Sequence, residues 1–117
     1  MKQNRILIFG AGVIGSIYAG KLALSGQNVT ILARNRRLVE LQEKGLLLKS
    51  NQETSITKVN VTVISELLSE DLYDFVFVII RKDHLDDALP ILSKNKSQNF
   101  VFMVNTPSGY LDWINSL

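Results

Sequence analysis

Residues 5–37 read RILIFGAGVIGSIYAGKLALSGQNVTILARNRR, and this stretch decides the fold. An apolar run ends at Gly10, the spacing G-x-G-x-x-G continues through Gly12 and Gly15, and a second apolar run ends just before Arg34. Such glycines between a buried strand and a helix are typical of dinucleotide-binding units. The first permits a sharp turn, the second lets a diphosphate approach the backbone, and the third lets the helix settle closely on the sheet. The alternative interpretation is a tight strand-to-helix turn without a ligand.

Further along the chain, short apolar runs alternate with helical patterns. The predicted strands are continuously apolar, as in parallel sheets covered on both faces: Arg5–Phe9, Asn28–Leu32, Phe75–Ile80 and Phe100–Val104. The predicted helices are Val13–Ser25, Arg37–Lys44 and Leu85–Leu92, with Gly26 and Gly45 closing the first two and Asp83 capping the third. Strands alternating with helices predict a doubly wound, mostly parallel α/β sheet of the Rossmann type, as a single domain.

The middle of the chain has a less regular pattern. LLLKS and ITKVNVTVI are predicted to be two strands joined by a polar NQETS turn, and Ser65–Leu72 is predicted to be a short helix. The alternation of valines after Lys58 fits a strand with one solvent-exposed face or at a sheet edge. Pro90 either kinks the third helix or shifts its start.

The amino-acid composition of the chain excludes several classes of protein function. The chain has 117 residues, a net charge of +2 and no cysteine, which excludes a disulfide framework and thiolate chemistry. No metal site is predicted. No segment approaches the roughly 20 apolar residues of a membrane span, so we expect a cytoplasmic protein that does not bind membranes. The basic residues form no long run or stripe, and nucleic-acid binding is therefore not predicted.

Arg34 stands at a position with a known role in dinucleotide sites. NAD-binding units place an acidic residue at the end of the second strand, where its carboxylate accepts hydrogen bonds from the ribose. A carboxylate would repel a 2′-phosphate, whereas a guanidinium binds it through paired, charge-assisted hydrogen bonds. The alternative interpretation is a solvated basic start to the next predicted helix. It is a poor one for Arg36 and Arg37, because cations near the amino end of a helix oppose its dipole. The sequence therefore predicts NADP(H) as the cofactor.

The stretches that carry a family resemblance are GAGVIG, ARNRR, EKGLLL, DFVFVIIRKDHLDDAL and FMVNTPSG. The whole chain resembles the amino-terminal domain of the ketopantoate reductase family. The resemblance implies NADPH-dependent reduction of 2-dehydropantoate or a related 2-keto acid, a step toward pantothenate and coenzyme A. It also implies that Asn105 lies beside the nicotinamide and that Arg81 replaces a lysine that members carry close to cofactor and substrate. The predicted cofactor contacts are Gly10, Ala11, Gly12, Val13, Ile14, Gly15, Arg34, Arg81 and Asn105.

The chain departs from the family at its substrate end. Lys82 follows Arg81, and the loop after the last predicted strand reads NTPSG where members more often have N-G-x-G. Family members also have a second, helical domain with the general-acid lysine, and we expect residues 1–117 to be a fragment or truncated form without it. We therefore expect NADPH binding but no turnover by this polypeptide alone, with Arg81 and Lys82 as candidate substrate or cofactor contacts. His84 is predicted to be a surface or capping residue.

One other function class fits the residues. A non-catalytic NADP(H)-sensing module would have the same size and the same glycine turn. Such modules usually keep an acidic residue where Arg34 stands. The sequence also leaves open whether the chain forms a homodimer, because Trp113 near the carboxyl end could belong to an exposed apolar patch.

Overall fold

The computed structural model of the chain describes residues 4–49 and 56–103. Strands and helices alternate in the first part of that range, four strands then follow one another, and a helix and a last strand complete it. In chain order they are β1 (Arg5–Phe9), α1 (Val13–Leu24), β2 (Asn28–Leu32), α2 (Asn35–Lys44), β3 (Leu46–Lys49), β4 (Ile56–Val59), β5 (Thr62–Ile64), β6 (Phe75–Val78), α3 (Lys82–Lys94) and β7 (Phe100–Phe102).

A five-stranded parallel sheet in the order β5-β2-β1-β6-β7 forms the centre of the domain. β1 lies in the middle, and its Leu7 is in register with Thr30 of β2 and with Val76 of β6. From β1 the chain builds one half of the sheet through β2 and β5, then returns to build the other half through β6 and β7. This arrangement confirms the predicted doubly wound α/β fold.

Each face of the sheet has its own apolar core. On one face Ile6 and Ile8 of β1 pack with Ala19 of α1 and Leu41 of α2. On the other face Leu7 and Phe9 pack with apolar side chains of α3 and of the segment before β6. The strands are apolar on both faces because both are covered by helices.

The hairpin of β3 and β4 covers one side of α1. β3 and β4 are antiparallel, and the buried Leu46 and Val59 join the core on the side of α1. The side chain of Leu48 lies against Gly20, in the middle of α1. The buried residues of α1 therefore lie between the parallel sheet and this hairpin. The apolar residues elsewhere on the helix are exposed: Val13, Ile14, Ile17, Tyr18 and Leu24.

Both helix ends predicted from glycines are confirmed. Gly26 follows α1 with φ of +98°, and the next residue, Gln27, donates its backbone N–H to the carbonyl oxygen of Leu22 at 3.1 Å. Gly45 ends α2 with φ of +76°, and its N–H donates to the carbonyl oxygen of Leu41. Left-handed glycines at these positions satisfy the last carbonyl groups of each helix.

Three predictions about local structure are wrong. The ITKVNVTVI segment is not one strand, because β4 belongs to the hairpin and β5 forms an edge of the main sheet beside β2. Residues 65–72 form turns and bends, not a helix. The residue that caps α3 is Arg81, and Asp83 lies in the first turn. A carboxylate is favourable there because it interacts with the helix dipole.

Smaller differences concern the ends of elements. β6 stops at Val78, two residues earlier than predicted, and β7 stops at Phe102, while the predicted last residue, Val104, lies outside the described residues. Pro90 lies inside α3, whose start is three residues earlier than predicted. Among residues 4–49 and 56–103, no helix has both the length and the apolar character needed to cross a membrane.

Candidate functional site

A crevice opens at the carboxyl ends of the central strands. It lies where the chain order reverses, between the half of the sheet that contains β2 and the half that contains β6. Ligands of doubly wound sheets bind at such switch points. One lobe, of about 920 Å³, has in its wall the ends of β1 and β2, the start of α2 and the hairpin. A second lobe, of about 670 Å³, is bounded by the ends of β6 and β7 and the start of α3.

The glycine turn is the wall that the two lobes share, and Gly10, Ala11, Gly12 and Val13 line both. Gly10 has φ of +127°, and a side chain on it would overlap the carbonyl oxygen of Ile79. A side chain on Gly15 would overlap the carbonyl oxygen of Gly10. Folding itself therefore requires glycine at these two positions.

Gly12 is different. Its φ is −72°, which any residue can adopt, and a Cβ built on it would have no atom within 4 Å. Gly12 is also the N-cap of α1, where it supplies no side-chain hydrogen bond, and the first turn of α1 contains no acidic residue. The positive end of the helix dipole and its unpaired N–H groups thus face the crevice beside a bare backbone, as in sites that bind phosphates.

Arg34 also lines the larger lobe. It is the N-cap of α2, with an extended backbone and an exposed side chain. Within the described ranges, its guanidinium forms no hydrogen bond or ion pair. The next residue, Asn35, has φ of +55°, a left-handed conformation that asparagine tolerates better than most residues. This turn directs the chain from β2 into α2 at the edge of the crevice.

Arg37 is held by the glycine turn. Its Nε donates to the carbonyl oxygen of Ala11 at 3.0 Å, and its Nη2 donates to Oγ of Ser16 at 2.8 Å. Its Nη1 lies 3.3 Å from Oε2 of Glu40, one turn along α2. The guanidinium is therefore shared between the turn, α1 and α2, although part of it also lines the larger lobe.

The smaller lobe contains the residues at the start of α3. Arg81 lines this lobe with its side chain 76% exposed, and its Nε lies 3.3 Å from Oδ1 of Asp83. His84 is exposed, as predicted, and lines both lobes. Its Nε2 lies 3.7 Å from Oδ2 of Asp83. Lys82 is exposed in the same turn of α3, but it is not among the residues that line either lobe.

The structure brings most of the predicted site residues to one crevice. Gly10, Gly12, Val13, Arg34 and Arg81 all line it. Ala11 does so too, while Ile14 and Gly15 border the smaller lobe alone. Asn105 lies outside the described residues. The sequence analysis missed further lining residues on several elements: Ser16, Ile17, Leu47, Leu48, Asp87 and Met103.

Comparison with known proteins identifies the family. The sequence profile of the ketopantoate reductase PanE/ApbA family matches residues 6–107. The chain belongs to the ketopantoate reductase family. This is a family of oxidoreductases, and the resemblance seen in the sequence is confirmed.

Curated relatives are longer than this chain. A 2-dehydropantoate 2-reductase of Mesorhizobium japonicum is 35% identical over 98 residues, which cover 80% of this chain and 29% of the relative. One from Pyrococcus horikoshii is 31% identical over 85 residues, which cover 73% of this chain and 27% of the relative. This chain spans about a third of the length of the curated relatives it matches.

Solved structures share the fold. A PanE/ApbA family ketopantoate reductase from Ralstonia eutropha aligns over 96% of this chain and 37% of its own, with a TM-score of 0.75 and 23% identity. A D-mandelate dehydrogenase, solved with NADH and anilino(oxo)acetate, aligns over 95% of this chain and 36% of its own, with a TM-score of 0.74 and 22% identity. At these identities the likeness extends to the fold alone.

Proposed function

We propose that residues 1–117 form the NADP(H)-binding domain of a reductase that transfers hydride to a 2-keto acid, 2-dehydropantoate or a relative. The observation that carries the proposal is Gly12. Neither its backbone dihedral angles nor its packing requires a glycine. An N-cap would also gain stability from serine, threonine, asparagine or aspartate, whose side chains bond the first N–H groups of a helix. A ligand that must come close to the backbone accounts for a glycine here.

The two-lobed crevice supports a dinucleotide over a single phosphate group. The lobes meet at the glycine turn, which is where the diphosphate of a dinucleotide joins its two halves. The larger lobe would hold the adenosine half, and Leu47 and Leu48 give that lobe an apolar side. The smaller lobe, beside Arg81 and Met103, would hold the nicotinamide half.

Arg34 supports NADP(H) over NAD(H). The fold does not decide this choice, since the D-mandelate dehydrogenase with the same fold was solved with NADH. Arg34 stands at the end of β2 in place of an acidic residue, and its guanidinium is not engaged by any group in the described part of the chain. A cation left available at the rim of the adenosine lobe suits a 2′-phosphate.

Arg81 indicates that the substrate would bind at the smaller lobe of the crevice. The cofactor, when bound, supplies the hydride that reduces a keto carbon. Arg81 would bind the carboxylate of a 2-keto acid, and its exposed contact with Asp83 is of a kind that contributes little stability, so it exchanges readily. A proton donor aimed at the keto oxygen is expected from the second domain of the family, and so residues 1–117 alone would bind NADPH without turning over a keto acid.

Direct binding tests the proposal. NADPH is titrated into the purified chain and into Gly12→Ser, with nicotinamide fluorescence and calorimetry as readouts. We expect binding to wild type and at least about a tenfold loss in Gly12→Ser, because the new side chain occupies the space of the diphosphate. The melting temperature of Gly12→Ser should not fall, since serine is a good N-cap. Wild type that binds no NADPH, or a serine variant that binds it equally well, contradicts the proposal.

Turnover is measured separately. NADPH and 2-dehydropantoate are mixed with the purified chain, and the nicotinamide absorbance is followed. We expect no steady oxidation above the rate without protein. Sustained oxidation of NADPH by residues 1–117 would show that a proton donor within this polypeptide suffices.

A further inference from the structure

The carbonyl oxygen of Ala11, inside the glycine turn, accepts hydrogen bonds from two side chains. Nε of Arg37 donates to it at 3.0 Å, and Oγ of Ser16 donates to it at 3.3 Å. The same Oγ accepts from Nη2 of Arg37 at 2.8 Å. Ala11, Ser16 and Arg37 therefore form a closed triangle that joins the turn to α1 and α2.

This triangle fixes the direction of one peptide group. In a trans peptide, the C=O of one residue and the N–H of the next point in opposite directions, and the described chain contains no cis peptide bond. Because Arg37 and Ser16 hold the carbonyl of Ala11, the N–H of Gly12 points away from them. No described group accepts a hydrogen bond from that N–H, so it is available to a ligand at the turn.

We propose that Arg37 is a positioning residue for the diphosphate: it holds the Ala11 carbonyl back and thereby aims the Gly12 N–H into the crevice. The inference rests on the proposed function and assigns the two arginines different tasks. The guanidinium of Arg34 has no hydrogen-bond partner among the described residues and suits the 2′-phosphate. The guanidinium of Arg37 instead donates hydrogen bonds to Ala11, Ser16 and Glu40. Without Arg37, the carbonyl is free to rotate toward the crevice, where its negative end would repel a phosphate.

The position of Arg37 in α2 is consistent with this task. It lies in the first turn of the helix, which contains no acidic residue, and a cation there is unfavourable with respect to the helix dipole. Ser16 is buried to 8% exposure, so its hydroxyl depends on Ala11 and Arg37 as partners. The helix dipole gives no reason for arginine at position 37, while the contacts with the turn do.

Two fragments of NADP(H) separate the tasks of the arginines. ADP-ribose contains the diphosphate but no 2′-phosphate, and adenosine 2′-monophosphate contains the 2′-phosphate but no diphosphate. Dissociation constants for both are measured by calorimetry on wild type, Arg37→Lys and Arg34→Ala, and each melting temperature is recorded. Lysine keeps the charge but cannot hold Ala11 and Ser16 in the fixed geometry of a guanidinium. Arg36→Ala, which changes an exposed neighbouring arginine, is the matched control for ADP-ribose.

We expect Arg37→Lys to weaken the binding of ADP-ribose by at least about tenfold and the binding of adenosine 2′-monophosphate by less than about threefold. Arg34→Ala should show the opposite pattern, and Arg36→Ala should leave the ADP-ribose constant within about twofold of wild type. Ser16→Ala, which keeps Arg37 but removes one bond to the carbonyl, should weaken ADP-ribose in the same direction by a smaller factor.

Three results would overturn the inference. A larger loss for adenosine 2′-monophosphate would make Arg37 a direct phosphate ligand. Equal losses of affinity for both fragments, together with a lower melting temperature, would show that Arg37 is a purely structural residue. Unchanged affinity for both fragments would show that Arg37 has no role in binding. Wild type that binds neither fragment would refute the proposed function itself, which distinguishes that failure from the failure of Arg37→Lys.

Discussion

The side-chain position of Gly10 points directly at the carbonyl oxygen of Ile79. A Cβ added to Gly10 would overlap that oxygen and would come within 3.1 Å of a methyl carbon of Ile80. Gly10 follows β1 and Ile79 follows β6, so the contact joins the ends of neighbouring strands at the floor of the crevice. The backbone of the glycine turn is therefore set by the main chain of β6 as well as by its own sequence.

Gly10→Ala should be severely destabilising. Alanine is strained at φ of +127°, and its methyl group would also displace the backbone after β6. We expect the free energy of unfolding to fall by about 3 kcal/mol or more, measured by urea denaturation. Gly12→Ala is the matched control, since the new methyl group has open space around it, and its loss should stay below about 1 kcal/mol. Similar losses in both variants would disprove this distinction.

Arg34→Ala should reduce the selectivity for NADPH over NADH. A charge-assisted hydrogen bond contributes about 1.5–3 kcal/mol, so the ratio of the two dissociation constants should fall by about ten- to hundredfold. The affinity for NADH should change little, because NADH has no 2′-phosphate for Arg34 to bind. The constants are measured by titration of each nucleotide. Lys94→Ala, in the last turn of α3, removes a charge outside the crevice lining and should preserve the ratio.

For Asn35, two physical principles predict opposite signs of the stability difference between the glycine and the alanine variant. It is the first residue of α2, where helix propensity alone favours alanine over glycine by about 1 kcal/mol. Its φ is +55°, and a left-handed conformation costs alanine about 1–2 kcal/mol but costs glycine almost nothing. We expect Asn35→Gly to be at least as stable as Asn35→Ala by chemical denaturation. If alanine proves clearly more stable, Asn35 does not hold the left-handed conformation in solution.

The sequence predicted the part of the site that depends on local rules. Gly10 and Gly12 have their expected places because one strand, one tight turn and one helix are specified by residues adjacent in the chain. The split between β4 and β5 was missed because the alternation of apolar and polar residues continues without a break from Lys58 to Val63, across Asn60. Nothing in a period of two indicates that the chain leaves a hairpin and joins another sheet. The role of Arg37 was missed because it depends on Ala11, 26 positions away.

The absent helix in residues 65–72 has an identifiable cause. Nδ2 of Asn95, at the end of α3, donates to the carbonyl oxygen of Leu68 at 2.8 Å and to that of Asp71 at 2.7 Å. Oδ2 of Asp71 also accepts from the N–H of Leu68 at 3.0 Å. Side-chain bonds of this kind give the backbone an alternative to helical hydrogen bonds. A partner some 25 residues distant leaves no trace in the local sequence.

Asn95 should therefore stabilise the fold strongly for a residue at a helix end. It is buried, and besides its two donated bonds its Oδ1 accepts from the N–H of Ser97 at 3.0 Å. Asn95→Ala leaves two carbonyl groups and one N–H without these partners, and we expect the free energy of unfolding to fall by about 2–4 kcal/mol. Asn95→Asp keeps the acceptor for Ser97 but sets a carboxylate against both carbonyl oxygens, so it should be no more stable than the alanine variant at neutral pH. Since Asn95 does not line the crevice, NADPH affinity measured at a temperature where both variants stay folded should match wild type. An aspartate variant as stable as wild type would show that these two donated bonds do not hold the segment before β6.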